Sequence, residues 1–177
     1  MNFSTENIND NIKFRTTCLE DESFILNLIK KNMKNYFETN FKGWSDETSK
    51  KQFNSIRTNG FTYIVEIKSQ DKNCIEYING NEICFKKIGY FSFYEEPKFK
   101  NSYIINDIQL MKEFQNKNIG SQILSFIEKK IKDISGHRIK LLVFKNNPAF
   151  SFYVKNNYKK IDEIKHTNTA ILIKEFY

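Results

Sequence analysis

The residues best suited to chemistry in this sequence lie in a polar turn, 115–121, between two apolar segments. The run from Tyr103 to Leu110 carries β-forming residues on both faces, which predicts a strand that is covered on both sides. After Asn118 apolar residues recur at helical spacing, which predicts a helix that begins at the turn. The first turn of a helix has unpaired N–H groups and the positive end of the helix dipole. The turn is therefore a predicted site for an anionic group such as a diphosphate.

A second candidate segment runs from Asn147 to Tyr158 and predicts a short helix with a tyrosine on one face. Asn147 followed by Pro148 is the order expected of a helix N-cap and the first helical residue. Ala149 and Tyr153 are four residues apart and therefore share one face of that helix. A tyrosine hydroxyl can transfer a proton, although in a chain with nine tyrosines a packing role is the alternative.

Together these two segments resemble the GNAT superfamily of acyl-CoA-dependent N-acyltransferases. Gln115, Asn118 and Gly120 fall on the family's Gln/Arg-x-x-Gly-x-Gly/Ala signature, and the second segment falls on its Asn-x-x-Ala-x-x-x-Tyr helix. Asn118 stands where the family prefers glycine, and Asn116 where closer relatives often have it. Asparagine is the residue that, after glycine, enters the left-handed region most readily. For the turn alone, an ordinary strand-to-helix connection with an asparagine cap is the alternative.

The resemblance implies acetyl-CoA as the cosubstrate, with no metal, and assigns residues to its binding. Backbone groups of the central strand would pair with the pantetheine arm, and an N–H within 109–111 would stabilise the oxyanion. In the family the helix Asn contacts coenzyme A and the Tyr protonates the departing thiolate, roles that fall here to Asn147 and Tyr153. Lys117 could reach a phosphate or could face solvent. The residues assigned to coenzyme binding are Ile108, Gln109, Leu110, Met111, Gln115, Asn116, Lys117, Asn118, Ile119, Gly120, Ser121, Asn147 and Tyr153.

The general base that would take a proton from the acceptor amine is less well defined. Asp107 is the leading candidate, for catalysis and for contact with the acceptor, because the two-residue strand period puts it on one face with Gln109. A chain of waters to bulk solvent, or a buried or capped Asp107 without a catalytic role, is the alternative. Fallback candidates for the base are Glu66, Glu82, Glu113, His137 and His166.

Candidate acceptor-binding residues lie in the segment NYFETNFKGW, which with DIQL is similar to a sparsely characterised bacterial branch of the superfamily. In that branch a Gly-Trp follows the first helix, matched here by Gly43 and Trp44. The loop between the first two helices often borders the acceptor site in the superfamily. Trp44 and Tyr36 are therefore predicted to contact the acceptor, where an aromatic ring could stack on an amine-bearing substrate. Large side chains that cover the core are the alternative.

The elements that must position these residues follow in a mixed α/β order. The pattern predicts seven strands, at 12–17, 61–67, 88–94, 103–110, 139–144, 160–164 and 170–176. Helices are predicted at 21–38, 46–57, 118–134 and around Tyr153. The resemblance implies an α/β (α+β mixed) fold with a GNAT-like, mostly antiparallel mixed sheet of about seven strands. That sheet would be splayed at the central strands and flanked by about four helices.

A hairpin is predicted at Asn79-Gly80, which lies between two apolar-rich runs. The insertion would lengthen two strands or, as the alternative, form a loop over the acceptor site. At 177 residues, with two prolines and six glycines that do not cluster, the chain is predicted to be a single domain, 1–177.

Composition bounds the partners and the location. The polar start of the chain predicts neither a secretory signal nor an anchor, and no apolar run approaches a membrane span. The three cysteines lack metal-ligand spacing and are expected to be reduced thiols, which suits a cytoplasmic protein without a membrane partner. The net charge of +7 comes from dispersed lysines without an Arg-rich run, so we expect no nucleic-acid partner.

These observations predict an N-acetyltransferase that moves an acetyl group from acetyl-CoA to a primary amine by direct attack in a ternary complex. The acceptor would be a small-molecule or peptide amine, with amino sugars, polyamines, protein termini and lysines all open. One alternative is a non-catalytic acyl-CoA-binding or regulatory module that kept the fold while glycines at 116 and 118 were lost. A basic nucleic-acid-binding protein is the other. A homodimer formed through sheet edges is also open, by analogy with the fold.

Overall fold

The computed structural model describes residues 5–9, 11–41, 43–69, 75–78 and 81–176. These residues form four α-helices and nine strands, all nine in one sheet. The strands are β1 (Thr5–Asn9), β2 (Ile12–Thr16), β3 (Phe61–Ser69), β4 (Ile75–Ile78), β5 (Asn81–Glu95), β6 (Ser102–Leu110), β7 (Arg138–Phe144), β8 (Lys159–Ile164) and β9 (Thr169–Glu175). The helices are α1 (Glu22–Asn40), α2 (Asp46–Asn59), α3 (Ile119–Asp133) and α4 (Ala149–Lys155).

The sheet is mostly antiparallel and opens between its two central strands. Its order is β1-β2-β3-β5-β6-β7-β9-β8, with β4 paired to β5 outside this path. The pair β6–β7 is parallel and extends only from Ser102 opposite Arg138 to Ile105 opposite Leu141. Beyond that point β6 continues to Leu110 without β7 beside it. The mixed α/β fold with a splayed sheet is therefore confirmed.

Two strands exceed the predicted number of about seven. One is β1, which pairs antiparallel with β2 at the sheet edge. The other is β4, which pairs antiparallel with the start of the fifteen-residue strand β5. The insertion thus lengthens two strands, as expected, since β3 continues to Ser69 and β5 begins at Asn81, and it also adds β4. The predicted turn at Asn79-Gly80 lies outside the described residues.

Each face of the sheet is covered by two helices, which explains the apolar residues on both faces of the central strands. Helices α3 and α4 pack on one face, where the rings of Phe91 and Phe126 lie 5.1 Å from that of the buried Phe14. Helices α1 and α2 cover the other face, where Ile25 and Phe53 pack against Tyr90. Each fully buried side chain of this size contributes about 1.5–3 kcal/mol. The site described below lies where these two layers meet the opening of the sheet.

A β-bulge interrupts β6 next to that opening. Phe93 of β5 faces Ile105, but the preceding residue, Ser92, faces Asp107, so Asn106 is an extra residue in the ladder. A bulge of this kind shifts the alternation of side chains by one position. Asp107 and the residues after it therefore present the opposite faces from those that an unbroken strand would give them.

The cysteines only partly follow the sequence-based expectation. Cys18 is a free thiol, as expected. Cys84 is disulfide-bonded, so the prediction of reduced thiols is wrong there. Among the described residues, no helix is both long and apolar enough to span a membrane. In the same part of the chain, no three His, Cys, Asp or Glu side chains form a group that could hold a metal ion.

Candidate active site

The predicted anion-binding turn has a backbone shape that asparagine can adopt. Asn116 and Asn118 have φ angles of 58° and 60°, in the left-handed region where glycine is otherwise favoured. Asn118 directly precedes α3, and its side chain makes no capping hydrogen bond. The N–H groups of the first turn, from Ile119 to Ser121, are those that a helix leaves without an intrahelical acceptor. They point toward the turn and offer a positive site for an anion.

Two contacts hold this turn in place. The Nε2 group of Gln115 donates a hydrogen bond of 3.0 Å to the carbonyl oxygen of Leu110, at the end of β6. A Cβ atom on Gly120 would lie 3.1 Å from the ring of Phe152, so a glycine lets α3 and α4 approach each other closely here. Lys117 is exposed, and its ammonium group lies 5.5 Å from the ring centroid of Phe114. The turn is therefore attached to β6 and α4, with one cation at its surface.

Backbone groups of β6 face the opening of the sheet. The N–H of Met111 donates 2.8 Å to the carbonyl of Ile88, which places Met111 in the hydrogen-bonded ladder with β5. In an antiparallel pair alternate residues turn toward the partner, so Gln109 belongs to the same ladder. Ile108 and Leu110 then turn their backbone groups away from β5. The carbonyl of Leu110 already accepts from Gln115 and from Nδ2 of Asn32 at 3.0 Å. Within the predicted stretch 108–111, an added extended chain could therefore pair with the N–H and carbonyl of Ile108 and with the N–H of Leu110.

Tyr153 lies on α4, and its surroundings raise the pKa of its hydroxyl. The Oδ1 atom of Asn147 accepts a hydrogen bond of 2.9 Å from the N–H of Ala149, so Asn147 caps the helix as predicted. Tyr153 is buried, and its hydroxyl has no hydrogen-bond partner among the described residues. Burial raises the pKa of Tyr153, and the nearby negative charge of Asp107 raises it further. The hydroxyl therefore stays protonated at neutral pH and is available as a proton donor.

Asp107 sits in a hydrogen-bonded environment that leaves its pKa raised. Its Oδ1 accepts 3.1 Å from Nε2 of Gln109, and its Oδ2 accepts 2.6 Å from Nδ2 of Asn106. The shared strand face with Gln109 is thus as predicted. Loss of solvent raises the pKa of Asp107, and the hydrogen bonds from its neighbours oppose that shift only in part. The fully buried hydroxyl of Tyr90 lies close enough to respond to this charge, since Asp107 contributes to the raised pKa of Tyr90.

Asp107 belongs to a polar chain of five side chains that connects α1 to α2. Nδ2 of Asn32, on α1, donates 3.0 Å to Oε1 of Gln109. At the other end, Nε2 of Gln52, on α2, donates 3.0 Å to Oδ1 of Asn106. Sequence analysis missed Asn32, Asn106 and Gln52. Asn32 could have been found, because it lies four residues after Leu28 on the otherwise apolar stripe of α1.

A cavity of about 750 Å³ lies between the end of α1, the start of α2 and the turn 165–167. Its wall includes Trp44, whose contact with an acceptor stays a prediction, together with Gln52 of the polar chain. Tyr36 is not in this wall; its ring stacks on that of Phe144 at 6.0 Å, because it lies on the side of α1 that faces β7. That packing is the alternative considered for Tyr36.

The fallback candidates for the base lie in different surroundings. His166 is exposed and lines the cavity. Glu66 is buried and forms ion pairs with Arg15 at 2.9 Å and with Lys13 at 3.3 Å. Glu113 and His137 are exposed outside the cavity wall. The side chain of Glu82 lies outside the part of the chain that the structure describes.

Comparison with known proteins gives both a family and a fold. The sequence model described as the Acetyltransferase (GNAT) family matches residues 29–158. A search of curated protein sequences gives no match. The structure is similar to PaiA N-acetyltransferase from Thermoplasma acidophilum, solved in complex with coenzyme A, at 19% identity and a TM-score of 0.67. That similarity covers 93% of this chain and 99% of the other.

Two further solved structures show the same fold. A domain from Methanocaldococcus jannaschii is 16% identical, with a TM-score of 0.72, over 94% of this chain and 100% of the other. An acetyltransferase of the GNAT family from Staphylococcus aureus is 15% identical, with a TM-score of 0.67, over 94% of this chain and 99% of the other. At these identities the structural similarity establishes the fold alone.

Proposed function

The chain belongs to the acetyltransferase (GNAT) family, and we propose that it moves an acetyl group from acetyl-CoA to a primary amine by direct attack in a ternary complex. The observation that carries this proposal is the opening between β6 and β7 after Ile105. Backbone groups of β6 line this opening, and the predicted anion-binding turn follows the end of β6. The charge of Asp107, on the same strand, raises the pKa of Tyr153, which supports placing that hydroxyl near the opening. The backbone groups, the turn and the hydroxyl each suit a different part of a thioester cosubstrate.

Residues around the opening fit acetyl-CoA in three places. The turn 115–121 would hold the diphosphate through the N–H groups at the start of α3, with Lys117 as an additional cation. The N–H and carbonyl of Ile108 and the N–H of Leu110 would pair with the amides of the pantetheine arm. Since Oδ1 of Asn147 caps α4, its Nδ2 group is the one left to donate to the cosubstrate. When bound, acetyl-CoA supplies a thioester whose acyl carbon can be attacked by an amine.

Asp107 and Tyr153 would move the two protons that the transfer requires. The carboxylate of Asp107 accepts a proton from the acceptor ammonium, which frees the nitrogen lone pair for attack on the acyl carbon. As the new C–N bond forms and the C–S bond breaks, the hydroxyl of Tyr153 gives its proton to the sulfur. A cleft-facing N–H of β6 would stabilise the charge that develops on the acyl oxygen. A raised pKa suits both groups, because it makes Asp107 a stronger base and keeps Tyr153 protonated.

A direct test combines calorimetry with a thiol-release assay. We expect one acetyl-CoA to bind per chain, and thiol release to require an amine rather than to occur by hydrolysis. The amine panel should include monoamines, diamines, amino sugars and peptide amines. Binding without thiol release across this panel would contradict the proposed transfer and favour a non-catalytic acyl-CoA-binding module. Absence of binding would contradict the proposed cosubstrate as well.

A further inference from the structure

The cavity beside the polar chain has a wall with a distinctive chemical composition. Its rings come from Phe37, Phe41 and Trp44, and most of its remaining wall is hydroxyl and amide groups of residues such as Thr48. No Asp, Glu, Lys or Arg is among the lining residues that the structure describes, and His166 is the one titratable group. At about 750 Å³ the cavity is in the size range of a small-molecule site.

The aromatic part of this wall is held rigidly. Nε1 of Trp44 donates a hydrogen bond of 2.6 Å to Oδ1 of Asp46. The ring of Trp44 meets that of Phe37 edge to face at 5.6 Å, and Phe37 stacks on Phe41 at 5.2 Å. The carboxylate of Asp46 also receives Lys30 at 2.8 Å, so its charge is paired outside the cavity wall. The three rings therefore offer a preorganised apolar surface, and no carboxylate stands beside them among the described lining residues.

Gln52 joins the cavity wall to the polar chain that contains Asp107. It lines the cavity and donates to Asn106, which in turn donates to Asp107. An acceptor whose amine is held by Asp107 would have the cavity as the adjoining space for the rest of its molecule. A second ammonium group in that space would meet no carboxylate among the described lining residues. The chain's net charge of +7 disfavours polycations as well.

From this arrangement we infer that the acceptor is a monoamine whose uncharged aromatic or apolar body occupies the cavity. The inference rests on the proposed acetyl transfer and narrows it. Of the acceptors considered, polyamines and amino sugar antibiotics carry several charges and do not suit this wall. A primary amine attached to one ring by a short linker suits both the rings and the single carboxylate.

The test compares 2-phenylethylamine with 1,4-diaminobutane, and uses butylamine as the matched control that lacks both the ring and the second charge. We expect kcat/KM for 2-phenylethylamine to be at least about tenfold that for 1,4-diaminobutane, with butylamine between them. Equal or better turnover of 1,4-diaminobutane would overturn the inference and leave the proposed acetyl transfer standing.

Trp44 provides a second test through a variant. Trp44→Leu should raise KM for 2-phenylethylamine about tenfold, leave KM for butylamine nearly unchanged, and leave KM for acetyl-CoA as it was. Trp44→Phe should restore most of the loss. Phe99→Leu, which alters an exposed ring in the turn between β5 and β6, is the control for loss of an aromatic group. An unchanged KM for 2-phenylethylamine in Trp44→Leu would contradict the inference.

A direct binding signal separates this inference from the reaction itself. Trp44 is the only tryptophan, so its emission reports on the cavity alone. We expect 2-phenylethylamine to change this emission saturably, and 1,4-diaminobutane to leave it unchanged at the same concentrations. Saturable change without acetyl transfer would uphold the cavity as a monoamine site and refute the proposed function. If neither amine changes the emission of Trp44, the inference is refuted.

Discussion

At the scale of single residues, the surroundings of Tyr153 and Asp107 suit them to opposite roles in proton transfer. Tyr153 has a buried hydroxyl without a described hydrogen-bond partner, so nothing in the protein competes for its proton. Asp107 accepts two hydrogen bonds and still has a raised pKa because burial disfavours its charge. One group is suited to give a proton and the other to take one.

Tyr153→Phe should lower kcat by about a hundredfold to ten-thousandfold, because proton donation to the sulfur is lost. The affinity for acetyl-CoA, measured by calorimetry, should stay as in the wild type, because the turn and β6 are untouched. Tyr158→Phe is the matched control, since Tyr158 is also buried but its hydroxyl bonds to Glu128 at 3.3 Å. Steady-state kinetics that give Tyr153→Phe an unchanged kcat would remove Tyr153 from this role.

Asp107→Asn should lower turnover about a hundredfold or more at neutral pH. The pKa of Asp107 is raised in the folded state, so its stabilising contribution is present below about pH 4 and is lost as pH rises through the raised pKa. The amide carries no charge to desolvate, but its Nδ2 group would face a donor, because both carboxylate oxygens accept from neighbouring amides. That mismatch does not depend on pH, so the thermal midpoint of the variant relative to that of the wild type should be lowest in acid and rise toward neutral pH.

This prediction requires that both turnover and the thermal midpoint are measured across pH. Kinetics across pH should also show that the acid limb of kcat/KM, which reports the base, disappears in Asp107→Asn. A difference in thermal midpoint that stays constant from acid to neutral pH would contradict the first expectation, and an unchanged acid limb of kcat/KM would remove Asp107 from the role of base.

The sequence identified some of these residues and missed others for a physical reason. Tyr153 and Asn147 lie in one short segment, so their spacing alone predicts a shared helix. The polar chain joins Asn32, Gln52 and Asn106, which are far apart in the sequence and meet only once α1 and α2 pack on the sheet. Tertiary contacts of this kind have no local signature.

At the scale of elements, the turn before α3 shows how two asparagines keep a shape that glycine usually provides. Asn116 and Asn118 both have left-handed backbone angles, a conformation that costs most L-residues about 1–2 kcal/mol. The turn therefore retains its geometry, and the added Cβ atoms do not distort it. Propensity arguments could predict this much, because left-handed asparagine is a local property of the chain.

Asn118→Ala should lower the free energy of unfolding by about 1 kcal/mol and weaken acetyl-CoA binding by about tenfold. The alanine destabilises the left-handed angle on which the orientation of the helix N–H groups depends. Asn118→Gly should bind at least as well as the wild type. Thermal melts and calorimetry measure the two effects separately.

Asn101→Ala is the matched control for this substitution, because Asn101 has a φ angle of 58° in the turn before β6. It should cost a similar free energy of unfolding and leave acetyl-CoA binding unchanged. An equal loss of binding in both variants would mean that general destabilisation, rather than the turn, explains the effect.

At the scale of the whole molecule, local patterns predicted the order of elements and left the edges of the sheet uncertain. Helices α1 and α2 begin and end within about two residues of the predicted bounds, because their caps and apolar stripes are strong. Strand β1, TENIN, is polar and half exposed at the sheet edge, so its pattern does not distinguish it from a loop. The opening between β6 and β7 followed from the family resemblance and not from any residue pattern.

The bulge at Asn106 determines which side of the sheet carries the polar pair. Ile105 and Ile108, three positions apart, both lie on the face of α3, whereas an unbroken strand would put Asp107 there instead. Asp107 and Gln109 consequently face α1 and α2. A strand without residue 106 would reach the same two faces, because Ser92 and Phe93 are consecutive on β5 and would then lie opposite consecutive residues. What the extra residue adds is one side chain, Asn106, which joins Gln52 to Asp107. A relative that lacks this residue would keep the position of its carboxylate and lose the link to α2.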